Sequence, residues 1–301
     1  MEKHWSQSCE LTAVLSSFRF GFDDNQQLLD LLYKVAEDDF FDGVEIRSCD
    51  DAATLEKIKP IIKVGHLSLD IFAQPGANSV KIDLDNKEKD IRQKTILWME
   101  DLMRQVYPLQ PRSLIFPYCF EKGTQYDESA LQLIEDSTHQ LCDLGKQFGL
   151  RLVMKIMDVK EPKESNNLSL KHYSELAKAI SNNHNNFGLL YDFSSPFASD
   201  NHFERISLVK DYIKHIHVGK MDSGDDIFIY GDFHVDSCFA GSVSELVKMI
   251  KAMSADGFIS DKSETKPVIG LSIQPYRPHS LLDLVLANAK RSWRQAWFEA
   301  V

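Results

Sequence analysis

Asp192 and His217 close two short apolar runs, Gly188-Leu-Leu-Tyr-Asp192 and Ile213-Lys-His-Ile-His217. A carboxylate and an imidazole at such ends can hold a divalent metal ion or exchange protons with a bound molecule. Lys155 adds an ammonium that can pair with Asp192, polarise a carbonyl or form a Schiff base. Glu45 and Arg47 stand two apart in Asp42-Gly-Val-Glu-Ile-Arg47. His66, Gln274 and Arg277 complete the candidate set, and Arg47 and Arg277 suit a carboxylate or phosphate.

What positions these groups is strand parity. A strand sends alternate side chains to opposite faces. In a parallel α/β protein the face that meets helices must be apolar, so polar residues of the other parity mark a site. Val44 and Ile46 read as outward, which turns Glu45 and Arg47 inward. Leu67, Leu69 and Ile71 read as outward, leaving His66, Ser68 and Asp70 inward. The same rule turns inward Lys155, Leu190 with Asp192, His215 with His217, and Gly270 with Ser272 and Gln274. These polar groups are expected near the C-terminal strand ends, where barrel active sites are built. Singly, each has a plainer reading. Glu45 and Arg47 also fit a structural ion pair, His66 or His215 a hydrogen-bonded core histidine, and Lys155 a buried counter-ion for Asp192.

The elements alternate from end to end. Strands are expected near 11–17, 42–47, 64–72, 112–116, 150–157, 188–192, 213–217 and 268–273. Helices are expected near 25–36, 52–58 (ending at Pro60), 87–106, 128–148, 170–180, 202–209, 242–253 and 280–298. About eight strand–helix units point to an α/β protein, a (β/α)8 TIM barrel forming a single domain over residues 1–301. A doubly wound open sheet is the alternative, but it would carry a Gly-rich phosphate loop after an early strand, and none is present.

Composition narrows the partners. The net charge of −11 and the lack of a basic run disfavour nucleic acid. No apolar stretch is long enough to cross a bilayer, and the N-terminus has no signal-peptide core, so a cytoplasmic protein is expected. The five cysteines are scattered and fit free thiols in a reducing compartment. Residues 222–236 read as a solvated acidic loop, with a lid as the alternative, and His234 and Asp236 there are reserve metal ligands. Trp293, Trp297 and Phe298 on the last helix are expected to cover the barrel; a homo-oligomer interface is the other reading.

Taken in order, these segments resemble the xylose-isomerase-like TIM barrels: sugar-phosphate isomerases and epimerases, ketose 3-epimerases, inosose dehydratase and the endonuclease IV group. Asp42–Arg47 looks like that family's second strand, Phe148–Lys155 its fifth, Gly188–Asp192 its sixth, Ile213–Val218 its seventh and Gly270–Gln274 its eighth. Gly231-Asp232 is similar to its turn after the seventh. The resemblance implies a divalent metal held by Glu, Asp, His and Glu, of which Asp192 and His217 match. Lys155 and Gln274 stand where the two glutamates belong. The resemblance therefore implies a metal cofactor while the residues point to a degenerate site, in which the Lys155 ammonium neighbours or fills the ion's position.

Three functions follow. The first is an isomerase or epimerase of a sugar, sugar phosphate or polyol, moving a proton next to a carbonyl with Lys155, Asp192 and His217 as catalytic groups. Glu45, Arg47, His66, Gln274 and Arg277 would then bind substrate. The second is a Schiff-base lyase or aldolase using Lys155. The third is a non-catalytic relative that binds a sugar-like ligand or a protein.

Overall fold

Each strand carries one apolar parity, and that parity meets the helices. The computed structural model describes residues 4–15, 25–74, 81–118, 128–156, 170–193, 206–218, 243–259, 266–272 and 282–301. Among the described residues eight strands are present: β1 (Glu10–Val14), β2 (Gly43–Arg47), β3 (Ser68–Phe72), β4 (Ser113–Tyr118), β5 (Arg151–Ile156), β6 (Phe187–Asp192), β7 (Ile213–Val218) and β8 (Val268–Ser272). Each pairs in parallel with the next, and β8 pairs with β1, closing a barrel. The described helices are α1 (Asn25–Ala36), α2 (Ala52–Val64), α3 (Lys89–Val106), α4 (Glu128–Gln147), α5 (Leu170–Ser181), α6 (Val243–Ala255) and α7 (Leu282–Ala300). None of them is long and apolar enough to cross a membrane. Of the helix expected at 202–209, residues 202–205 lie outside the described residues, Ile206 is helical, and 207–209 form turns that lead into a short 3-10 helix, Lys210–Tyr212.

The main core lies between barrel and helices. Leu11, Val44, Ile46, Leu69, Ile71, Leu152, Met154 and Leu271 face outward onto Leu32, Ile58, Met99, Ile134, Ile180 and Ile250. Burying each such side chain stabilises the fold by roughly 1.5–3 kcal/mol. Trp293 and Trp297 are buried in this layer, whereas Phe298 is exposed. A second, smaller cluster of Ile115, Val153 and Leu190, flanked by Phe72, belongs to the opposite parity of β3 to β6 and fills one side of the barrel interior.

Several expected boundaries shift. Helix α2 does not end at Pro60; it runs to Val64. Asp51 caps its start by accepting from the Ala53 and Thr54 amides, each at 3.2 Å. Leu55, Ile58, Ile61 and Ile62 bury one face on both sides of the proline, so packing outweighs the one missing N–H. Strand β4 runs through Pro117, where the sequence suggested a stop. Pairing of β3 with β4 ends at Phe72↔Ile115, so Pro117 stands beyond the last β3 partner and its missing N–H removes no bond there. Strand β3 begins at Ser68 rather than near Val64. His66 is therefore not on the strand: it sits exposed, at φ 52°, in the turn after α2.

Candidate active site

Contacts between strands that are not neighbours must cross the barrel interior, and two sets of them divide it by height. The upper set contains Glu45 and His217, from β2 and β7. Glu45 Oε2 and His217 Nε2 are 2.7 Å apart, and both side chains are buried. Strand β8 makes room for this pair with a glycine. A Cβ on Gly270 would lie 2.8 Å from His217 Cδ2 and 2.5 Å from Val14 Cγ2. Beside them Lys155 Nζ lies 2.7 Å from Asp192 Oδ2. These side chains are 22% and 13% exposed, so they are the part of the cluster that an entering molecule meets first. Asp192 is paired in register with His217, which sets the Lys155–Asp192 ion pair beside the Glu45–His217 hydrogen bond. The Lys155 ammonium also lies 5.9 Å from the centre of the Phe72 ring, above the apolar side of the interior.

The lower set plugs the N-terminal end. Arg112, just before β4, bridges Glu10 of β1 and Asp70 of β3, with its Nε 3.1 Å from Asp70 Oδ1. Ser113 Oγ donates to Asp70 and lies 3.4 Å from His215 Nε2. Burial alone would raise the Asp70 carboxyl, but His215, Arg112 and hydrogen bonds from Arg112 and Ser113 outweigh it and hold it below the usual carboxylate range. Burial pushes His215 down to about 4, although Asp70 opposes the shift. His215 is thus neutral near pH 7, and Arg112 is the cation that matters to Asp70 there.

The expected site residues therefore separate. Lys155, Asp192, His217 and Glu45 come together at the upper end. Arg47 is half-buried as the last residue of β2. His66 does not join them, because its turn precedes β3 at the opposite end from the strand C-termini. Asp70 and His215, expected with the pocket, belong to the lower plug. Glu45, expected as a substrate-binding group or a structural partner of Arg47, bonds His217. Gln274, Arg277, His234 and Asp236 lie outside the described residues. Phe72 and Gly270 were not foreseen as site-forming, though both have inward parity.

The described residues do not fit a divalent metal ion. No three His, Cys, Asp or Glu side chains among them converge as a donor set. Asp192 Oδ2 faces an ammonium, and His217 Nε2 is bonded to Glu45. A divalent ion on Asp192 would stand against the Lys155 charge.

Comparison with known proteins now settles the family. A family model described as "Xylose isomerase-like TIM barrel" matches residues 33–261. The chain belongs to this family. No curated protein matches it in sequence. Among solved structures, it is similar to a D-psicose 3-epimerase from Clostridium cellulolyticum H10, at 14% identity and TM-score 0.63, covering 97% of this chain and 98% of that one. It is similar to the 3-keto-D-glucoside 4-epimerase YcjR from E. coli, at 13% identity and TM-score 0.63, covering 96% and 98%. It is also similar to the IOLI protein with a bound zinc atom, at 14% identity and TM-score 0.68, covering 97% and 99%. At these identities the likeness is one of fold.

Proposed function

We propose that this member of the xylose isomerase-like family isomerises or epimerises a small carbohydrate, a sugar or sugar phosphate, by proton transfer next to a carbonyl. The observation that carries this reading is the upper cluster itself: a buried carboxylate–imidazole pair beside a partly exposed ammonium. Two of the similar structures are a D-psicose 3-epimerase and a 3-keto-D-glucoside 4-epimerase, which favours the same substrate class here. Glu45 fixes the His217 ring, and the pair accepts a proton from the carbon next to the carbonyl. The electron pair left behind moves onto the carbonyl oxygen, where the Lys155 ammonium stabilises the developing negative charge. Returning the proton to the other face of the same carbon completes epimerisation; returning it to the former carbonyl carbon, while the adjacent hydroxyl proton passes to the former carbonyl oxygen, completes isomerisation. Asp192 holds Lys155 in place. A carboxylate at 2.7 Å favours the ammonium over the free amine that a Schiff base requires, which counts against a lyase.

The test is exchange of substrate hydrogen with solvent. The protein is incubated in D2O with a panel of ketoses, keto-glycosides and sugar phosphates, and deuterium next to the carbonyl is read by NMR. Incorporation that disappears in His217→Gln is the expected result. Binding of panel members without any incorporation would overturn catalysis and identify a ligand-binding relative.

A further inference from the structure

We propose that Lys155 is the built-in cation of this site, and that a single change of sign at position 155 turns the barrel mouth into a divalent-metal centre. The inference rests on the proposed function only in taking the upper cluster as the site. Asp192 Oδ2 is 2.7 Å from the Lys155 ammonium, and His217 Nε2 is 2.7 Å from Glu45 Oε2. Each donor is thus engaged by a group of opposite character from its own chain. The carboxylate faces a cation and the imidazole faces a carboxylate, so each donor already holds a partner from within the chain.

The setting of Lys155 makes this a fixed part of the barrel rather than a loose surface contact. Its backbone is held on both sides, in register with Pro117 of β4 and Leu190 of β6. Below it lie Ile115, Val153 and Leu190, fully buried, with the Phe72 ring alongside. Over that apolar floor the field of one ammonium is poorly screened. It serves an entering oxygen as a polarising cation would, with a single charge and without open coordination positions. It also excludes a divalent ion from Asp192 by like-charge repulsion. A carboxylate at position 155 removes the repulsion and adds a donor on β5, next to Asp192 on β6 and to His217 on β7, whose imidazole the ion draws from Glu45. Three donors on three consecutive strands are enough for a metal with open positions.

Mn2+ alone is the probe, titrated calorimetrically and by EPR into the full chain. The wild-type protein is expected to bind Mn2+ no better than Asp192→Asn. Lys155→Glu is expected to gain one site, at least ~100-fold tighter than any in the wild type, since an adjacent charge changes sign. Adding Asp192→Asn to Lys155→Glu should abolish that site. Two results overturn the inference: one equivalent of Mn2+ on the wild type that Asp192→Asn removes, or a folded Lys155→Glu with no gain. Should Lys155→Glu fail to fold, Lys155→Ala gives a second reading. Ethylammonium chloride should raise its Tm above that in equal NaCl while leaving the wild type unmoved, and equal responses overturn the inference. None of these measurements uses a carbohydrate. A wild type that turns over no sugar leaves the result standing, and an active wild type with a tight Mn2+ site defeats this inference alone.

Discussion

An ammonium and an imidazole ask different things of the carboxylates beside them. Lys155 needs Asp192 to hold its charge at one place while staying accessible, and the pair is accordingly part exposed. His217 needs Glu45 to fix one tautomer and ring angle, and that pair is buried. The substitutions should separate along this line. His217→Gln removes the proton carrier and should lower the exchange rate by about 10²–10⁴-fold. Glu45→Gln keeps the shape but removes the charge that supports an imidazolium, and a loss of roughly 10–100-fold is expected, mostly in kcat. Deuterium exchange rates at saturating and limiting substrate check both. A His217→Gln protein that exchanges at the wild-type rate would remove the imidazole from the mechanism.

At the level of elements, two residues test how strands and helices hold the site. Gly270 leaves a gap on β8 that the His217 ring and Val14 occupy. Gly270→Ala should cost about 1–3 kcal/mol by overpacking, read as a lower urea midpoint. Val14→Ala in the same protein should recover part of it, because the two share one space. Pro60 sits exposed inside α2, and Pro60→Ala restores a helix N–H. It should raise stability by about 1–3 kcal/mol, less than the full proline penalty because the unfolded chain regains freedom. An unchanged or lower midpoint would show that the proline, not the apolar face, sets the course of α2. These elements also mark what the sequence made legible. Alternation in Val44–Arg47 or Leu189–Asp192 is local, so inward parity could be read strand by strand. Height inside the barrel is not local. Glu45 and Asp70 are direct register partners on β2 and β3, yet Glu45 bonds His217 in the upper set and Asp70 bonds Arg112 in the lower. Tilted strands create that offset, and it depends on closure of all eight. His66 failed for a simpler reason: a turn at positive φ interrupts the parity count before β3 begins.

The molecule as a whole depends on the lower plug, because Arg112, Glu10, Asp70, Ser113 and His215 tie β1, β3, β4 and β7 across the interior. His215 is fully buried, and its folded pKa of about 4 lies below its ordinary value of 6.5. A depressed folded pKa means that the folded state binds its proton less readily than the unfolded chain. The associated stability is complete above pH 6.5, declines as acid protonates the unfolded chain, and is gone once pH falls through about 4, where the folded state also takes the proton. For a shift of this size the loss amounts to at most roughly 3 kcal/mol. Asp70 acts lower on the scale: its carboxyl is held below 3.8, so its contribution fades only on stronger acidification. The two windows can therefore be told apart. Urea unfolding from pH 7.5 down to 4.5 should show the wild type losing stability faster than His215→Gln, and the difference between the two should flatten above pH 7. Parallel curves would mean that His215 carries no pH-linked stability, and that Arg112 and Asp70 alone join the strands at that end.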